Sequence, residues 1–209
     1  MKSLVIIGAG GMGRTLYSNA LECKGYKKEF YIKGYLDDNL HSLDGFINYP
    51  PVIGTIQEYN PKENDVFACS ISGKDGKRCI EEIISRGGSF INLIHKDSKI
   101  LNNVKIGTGN FIGAFTIIGN EVSVGSHNII QSFSVIGHDA QIGDFNRIDT
   151  HVTCVGGIII KNQVMVHTGA VINHKVILDN ECKVGANSFV IRKVKSGETV
   201  LGVPAKRIN

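Results

Sequence analysis

From Ile100 onward an aliphatic residue recurs at every sixth position: Ile100, Ile106, Ile112, Ile118, Val124, Ile130, Ile136, Ile142, Ile148, Cys154, Ile160, Val166, Ile172, Leu178, Val184 and Val190. These are sixteen consecutive hexads without an insertion, and only Cys154 departs from the aliphatic rule. The next position is often glycine, as at Gly107, Gly113, Gly119, Gly125, Gly137, Gly143 and Gly185. The fifth position is small, β-branched or Asn, as at Val104, Asn110, Thr116, Ser134, Ala140, Val164, Ala170 and Ser188. Such a period describes a short strand and a turn, repeated. One residue of each hexad is expected to enter a narrow core, with Gly and Asn relieving the backbone at the bends. Stacked coils then bury a continuous aliphatic column.

The pattern before residue 96 is different. Lys2–Ile7 reads as a short apolar strand, followed by Gly8-Ala9-Gly10-Gly11-Met12-Gly13 and a helix over residues 14–24. Residues 30–36 predict a second strand ending at Asp37-Asp38, residues 66–71 a third, and residues 77–86 a second helix. This is a βαβ pattern with a G-x-G-x-x-G turn between strand and helix. Glycines there let backbone approach a diphosphate at a helix N-terminus. Asp37 or Asp38 is expected to accept hydrogen bonds from a ribose or a base. The bland alternative is a tight turn without a ligand. About 95 residues leave little chain for a second βαβ half, so a mononucleotide or nucleotide diphosphate fits better than NAD.

Composition agrees with this division. Of 47 Ile and Val, 29 lie in residues 100–195, against 10 Leu in the whole chain. That balance argues against a helical bundle. No apolar run approaches the roughly 18 residues of a membrane span. The N-terminal apolar run is too short and Gly-rich for a secretory signal. Five Cys without regular spacing argue against a disulfide framework or zinc ribbon, so a reducing cytoplasm is expected. Cys154 and Cys182 fall at inward positions and read as core residues. The net charge is +4, concentrated in residues 183–209, where Lys183, Arg192, Lys193, Lys195, Lys206 and Arg207 oppose Glu198. Such a rim attracts a polyphosphate ligand. Only Phe189 interleaves with it, so nucleic acid is not an expected partner.

The order of motifs carries a resemblance over essentially the whole chain. The pieces are the glycine turn at residues 8–13, Gly34-Tyr35-Leu36-Asp37-Asp38, Ile91-Asn92-Leu93-Ile94-His95, Val135-Ile136-Gly137-His138-Asp139, Ile142-Gly143-Asp144-Phe145 and Leu201-Gly202-Val203-Pro204-Ala205-Lys206. The chain resembles the sialic acid O-acetyltransferase-like sugar acetyltransferases, closest to the UDP-4-amino-sugar N-acetyltransferases. The resemblance implies an α/β N-terminal Rossmann-like nucleotide-binding domain over residues 1–95. It implies an all-β left-handed parallel β-helix of hexapeptide repeats, with a C-terminal tail, over residues 96–209. Three hexads then make one coil. It further implies acetyl-CoA as cosubstrate without a metal, a nucleotide-sugar acceptor, and a homotrimer with active sites in grooves between subunits.

By the same resemblance His138 is the general base and Asp139 the acid that orients it. Gly156, one coil on, supplies an N–H to polarise the thioester carbonyl, and a bare Gly beside the base is expected to leave room for a ligand. His174 continues that column. Thr168 and Ala186, stacked above Thr150, are expected at the pantetheine arm of CoA. Contacts to the sugar nucleotide are expected at Gly10, Gly11, Met12, Asp37, Asp38 and Gly73. Two residues depart from the pattern. Arg147 stands where many relatives carry a second His, leaving a CoA contact as an expectation. Met12 stands where the turn often carries His.

Three alternatives remain. His138 and His174 are 36 residues apart, as in the zinc-holding γ-class carbonic anhydrases, although Asp179 replaces the third His there. A non-catalytic sugar-nucleotide binder would keep the fold. O-acetylation of a sialic acid or other sugar would keep the chemistry and change the acceptor.

Overall fold

A computed structural model describes residues 1–208, which divide into two compact units, residues 1–96 and 97–208. In the first unit β1 (Lys2–Ile7), β2 (Phe30–Leu36), β3 (Val52–Gly54), β4 (Asp65–Cys69) and β5 (Ser89–Phe90) form one parallel sheet in the order β3-β2-β1-β4-β5. Strand β1 is buried from Ser3 to Ile7, as a central parallel strand covered on both faces must be. Helices α1 (Gly11–Ala20) and α2 (Gly73–Ser85) follow β1 and β4. Both start earlier than the apolar pattern predicts, because each begins inside a glycine turn. Strands β3 and β5 are too short to register as patterns. No helix lies between β2 and β3, where a repeated βαβ unit would place one.

A polar knot ties β2 to the start of β4, the two strands that flank β1. Lys33 Nζ donates to Tyr59 Oη and Asp65 Oδ1, each at 2.7 Å, and Tyr59 donates to Asp65 Oδ2 at 2.6 Å. Burial works against the ionised Asp65, but these donors prevail and hold its carboxyl below the ordinary value.

The second unit is a parallel β-solenoid. Two-residue strands recur every six residues from Lys99–Ile100 to Phe189–Val190 and stack on three faces. Up to Val171–Ile172 each pairs with the strand eighteen residues on: Ile118 opposes Ile136, then Cys154, Ile172 and Val190. The aliphatic positions are buried from Ile112 onward, with Ile112, Ile118, Ile130, Ile136, Ile148 and Ile172 fully enclosed. Thr199–Gly202 pairs parallel with the last coil, and Ala205–Ile208 folds back antiparallel on it.

Two details differ from the sequence reading. Two residues of each hexad enter the core, because side chains alternate along the strand and the position two before the aliphatic one also points inward. Thr116, Asn128, Ser134, Ala140, Val152 and Ala170 are thus buried. Among them Asn110, Asn128 and Asn146 form a ladder, each Oδ1 accepting the N–H one coil on at 2.8–2.9 Å. The hexad glycines, moreover, are not the bends. The left-handed conformation falls three residues after the aliphatic position, at Phe115, Phe133, Asp139, Phe145, His151 and their non-glycine equivalents with φ between 54° and 62°, and at Gly109, Gly157 and Gly169 with φ between 70° and 72°. The glycine after the aliphatic position answers a close approach instead. A Cβ on Gly137 would lie 2.6 Å from Gly156 N, and one on Gly119 2.8 Å from His138 N.

No helix among the described residues is long and apolar enough to cross a membrane. The five cysteines are buried, and burial pushes the Cys23, Cys69, Cys154 and Cys182 thiols up to about 12. They remain protonated at neutral pH and are poor nucleophiles.

Candidate active site

The turn after the strand Val135–Ile136 carries His138 and Asp139. Asp139 takes the left-handed conformation, φ 59°, and its N–H donates to Asn120 O one coil back at 3.0 Å. Asp and Asn tolerate this conformation better than most residues. Held this way, Asp139 Oδ2 sits 2.6 Å from His138 Nδ1. The two side chains are 64% and 62% exposed, so the pair faces solvent. With Nδ1–H donating to the carboxylate, Nε2 carries the lone pair of a base.

Gly156 lies directly against this ring. A Cβ there would meet His138 Nε2 at 2.5 Å and Cε1 at 2.6 Å. The room expected beside the base is therefore filled by the imidazole itself, and Gly156 is buried. Gly157, at φ 71°, ties the two coils together through its N–H to His138 O at 2.8 Å. His174 follows one coil on, with its Cε1 3.8 Å from a Cβ on Gly157.

The three corners of the solenoid differ in how their backbone is satisfied. At one corner a side chain from the next coil accepts each N–H in turn. Ser126 caps Thr108, Asp144 caps Ser126, Asn162 caps Asp144 and Asn180 caps Asn162, at 2.7–3.1 Å. At the His138 corner this stops after Asn120 caps Asn102. Among the described residues the N–H groups of His138 and Gly156 have no acceptor, and neither do those of Ser132, Thr150, Thr168 and Ala186 at the third corner. Gly156 and Ala186 have no side-chain acceptor to offer. Uncapped donors on a polar ridge are places for a ligand's carbonyl oxygens.

Arg147 does not stand alone. Its Nε donates to Asp149 Oδ1 at 2.6 Å, and Gln131 Nε2 donates to the same oxygen at 2.6 Å. Asp149 Oδ2 faces His167 Nδ1 at 3.1 Å. Sequence reasoning missed Asp149, Gln131 and His167. The signal was present: 131, 149 and 167 are eighteen apart and replace the glycine common at that hexad position. In the basic tail, Lys193 shares Asp179 with Lys161 at 3.1 and 2.6 Å, and Arg207 pairs with Glu198 at 3.5 Å. These lysines hold the Asp179 carboxyl below its ordinary value.

In the first unit the glycine turn is built for packing and for access. A Cβ on Gly13 would meet Gly8 O at 1.9 Å, so α1 can start here only with Gly. Gly10 and Gly11 are exposed, and a Cβ on Gly10 would meet nothing within 4 Å. Met12 is half-buried on the first turn of α1, and Gly73, at φ 71°, opens α2. The guanidinium of Arg14 lies 3.8 Å over the Phe46 ring beside this turn.

Asp37 and Asp38, expected to accept from a ribose or base, also serve the chain itself. Asp37 Oδ2 accepts from Ala9 N at 2.8 Å, and Oδ1 accepts from Asn39 N at 2.9 Å and Ser42 Oγ at 3.0 Å. Asp38 Oδ1 accepts from Ile56 N at 3.2 Å. Asp37 therefore clamps the glycine turn. Asp37→Ala is expected to cost about 2 kcal/mol of stability in urea unfolding, because bonds to a charged acceptor are lost. Unchanged stability would show that the clamp is not needed.

No protein-family model and no curated protein matches the chain. Solved structures do. WeeI from Acinetobacter baumannii is 23% identical over 100% of each chain, with a TM-score of 0.86. The acetyltransferase domain of PglB from Neisseria gonorrhoeae, solved with acetyl coenzyme A, is 24% identical over 99% of each chain, with a TM-score of 0.87. PerB from Caulobacter crescentus, solved with CoA and GDP-perosamine, is 21% identical over 100% of this chain and 98% of its own, with a TM-score of 0.89. At these identities the likeness establishes the shared fold across both units.

Among the described residues no three or more His, Cys, Asp or Glu side chains are grouped to hold a metal ion.

Proposed function

We propose that this protein is an acetyl-CoA-dependent N-acetyltransferase acting on the amino group of a nucleotide-linked amino sugar. The 4-amino-4,6-dideoxy sugars linked to a nucleoside diphosphate are the preferred acceptor class. The observation that carries the reading is the His138–Asp139 pair set against the uncapped N–H of Gly156. Neighbours solved with acetyl-CoA, or with CoA and a nucleotide-linked sugar, support it. The first unit serves as a Rossmann-like nucleotide-binding domain, with the open Gly10-Gly11 turn as its phosphate site. The solenoid winds left-handed and assembles into a trimer, with the groove between copies as the reaction site.

The chemistry follows from these groups. The acceptor amine attacks the thioester carbonyl carbon, and His138 Nε2 takes its proton as the C–N bond forms. The Gly156 N–H donates to the oxyanion. Collapse breaks the C–S bond, and the protonated His138 returns the proton to the leaving thiolate. Asp139 stabilises the imidazolium between these steps. Thr168 and Ala186 offer N–H groups to the pantetheine arm, while Arg147, fixed by Asp149, stands beside it.

The test is release of free CoA thiol with acetyl-CoA and UDP-, dTDP- or GDP-linked 4-amino sugars. Matched 4-hydroxy sugars and sialic acid are the O-acetylation arms. Turnover confined to amino sugars is expected. Turnover confined to hydroxyl acceptors, or none with any acceptor, overturns the reading.

A further inference from the structure

The solenoid carries a second His–Asp pair, and its surroundings differ from those of the first. Asp149 is 9% exposed on its side chain and already holds Arg147 and Gln131 on Oδ1. Its Oδ2 fixes His167 Nδ1 at 3.1 Å. The His167 side chain is 42% exposed, and among the described residues no protein atom bonds its Nε2. A buried carboxylate behind Nδ1–H makes Nε2 an acceptor of fixed direction. His167 also immediately precedes Thr168, on the corner whose N–H groups at Thr150, Thr168 and Ala186 are uncapped.

That corner therefore offers donors in a row and one oriented acceptor. A row of donors alone suits carbonyl oxygens, whereas an amide brings both a C=O and an N–H. We infer that His167, oriented by Asp149, accepts a hydrogen bond from an amide N–H of the acyl-CoA arm, and that it does so in a groove completed by His138 of a second copy. The inference rests on the transferase reading above. The second copy is required by the coil. His138 and Thr168 lie on different corners of one chain, joined by a side of the prism six residues long. An arm lying along the His167–Thr168–Ala186 corner, parallel to the solenoid axis, runs past its own His138 rather than toward it. A neighbour related by rotation brings its His138 corner to this one.

The variants separate acceptor from packing. His167→Asn keeps an N–H for Asp149 and removes the acceptor. His167→Gln restores an acceptor near the Nε2 position. His167→Asn is expected to raise the KM for acetyl-CoA about tenfold, as loss of one hydrogen bond does, with kcat within about twofold and His167→Gln recovering most of it. Co-expression with His138→Ala then tests the shared groove at acetyl-CoA well below KM. If the two residues come from different copies, random mixing rebuilds about a quarter of the grooves. If they act within one copy, activity stays at about one-twentieth of wild type. A KM unchanged in His167→Asn, equal loss in His167→Gln, or the one-twentieth value in an active trimer overturns this inference alone. A wild-type protein that transfers no acetyl group overturns the transferase reading, and this inference with it.

Discussion

His138→Ala lowers turnover by about 10²–10⁴-fold while acetyl-CoA still binds; this is the expected result if His138 is the base. An amine near neutral pH is mostly protonated, and even its neutral form must shed a proton as the amide forms. Without an acceptor at Nε2 that proton has no local destination. The side chain is 64% exposed, so its removal leaves no core cavity. Melting temperature should therefore stay within a few degrees, and binding of acetyl-CoA measured by calorimetry should be unchanged. His138→Asn is the companion variant, since it fills the site without supplying a base. Near-normal turnover in either one would remove His138 from the chemistry.

Gly156→Ala should be nearly as damaging through position alone. A single methyl would sit 2.5 Å from His138 Nε2, closer than any real Cβ contact. The neighbour that yields is the imidazole, because its other side is open and the solenoid backbone is held by coil-to-coil hydrogen bonds. Swung aside, the ring stretches its 2.6 Å bond to Asp139 and carries Nε2 away from its place beside Gly156. A displacement of about 1 Å at the reacting atoms typically costs 10²-fold. We expect kcat to fall by about that factor with KM for both substrates little changed. Gly157→Ala is the control. It strains a left-handed residue at φ 71°, where the new Cβ would meet Lys175 Cγ at 3.2 Å and not His138. It should cost about 1 kcal/mol of stability and far less activity. Equal kinetic effects at 156 and 157 would mean that the imidazole's place is unimportant.

The repeat was legible because burial in a solenoid repeats with the coil. An inward Ile every six residues leaves a trace that no neighbouring element can disguise. The fine structure within each hexad was less legible. Glycine is the residue associated with bends, yet Phe115, Phe133, Asp139 and His151 occupy them, since each coil's hydrogen bond offsets the strain. In the first unit the turn at residues 8–13 was visible as a motif. Strands of two or three residues, β5 and β3, were not, because so short a run carries no period.

Asp37 and Asp149 show the same limit at the level of side chains. A carboxylate after a strand and a carboxylate in a coil look alike as letters. Asp37 turns out to hold the backbone of Ala9, twenty-eight residues away, and Asp149 gathers Arg147, Gln131 and His167 from three coils.

The sequence by itself determined the solenoid, its eighteen-residue columns and the neighbours His138 and Asp139, because period and adjacency are properties of the chain. Only the tertiary structure decided that Gly156 carries the imidazole rather than an empty space. It alone decided that Asp37 clamps its own turn, and that a second histidine stands oriented at another corner. Which lone pair or N–H is left over depends on what every neighbour has already taken, and that is settled only when the coils stack.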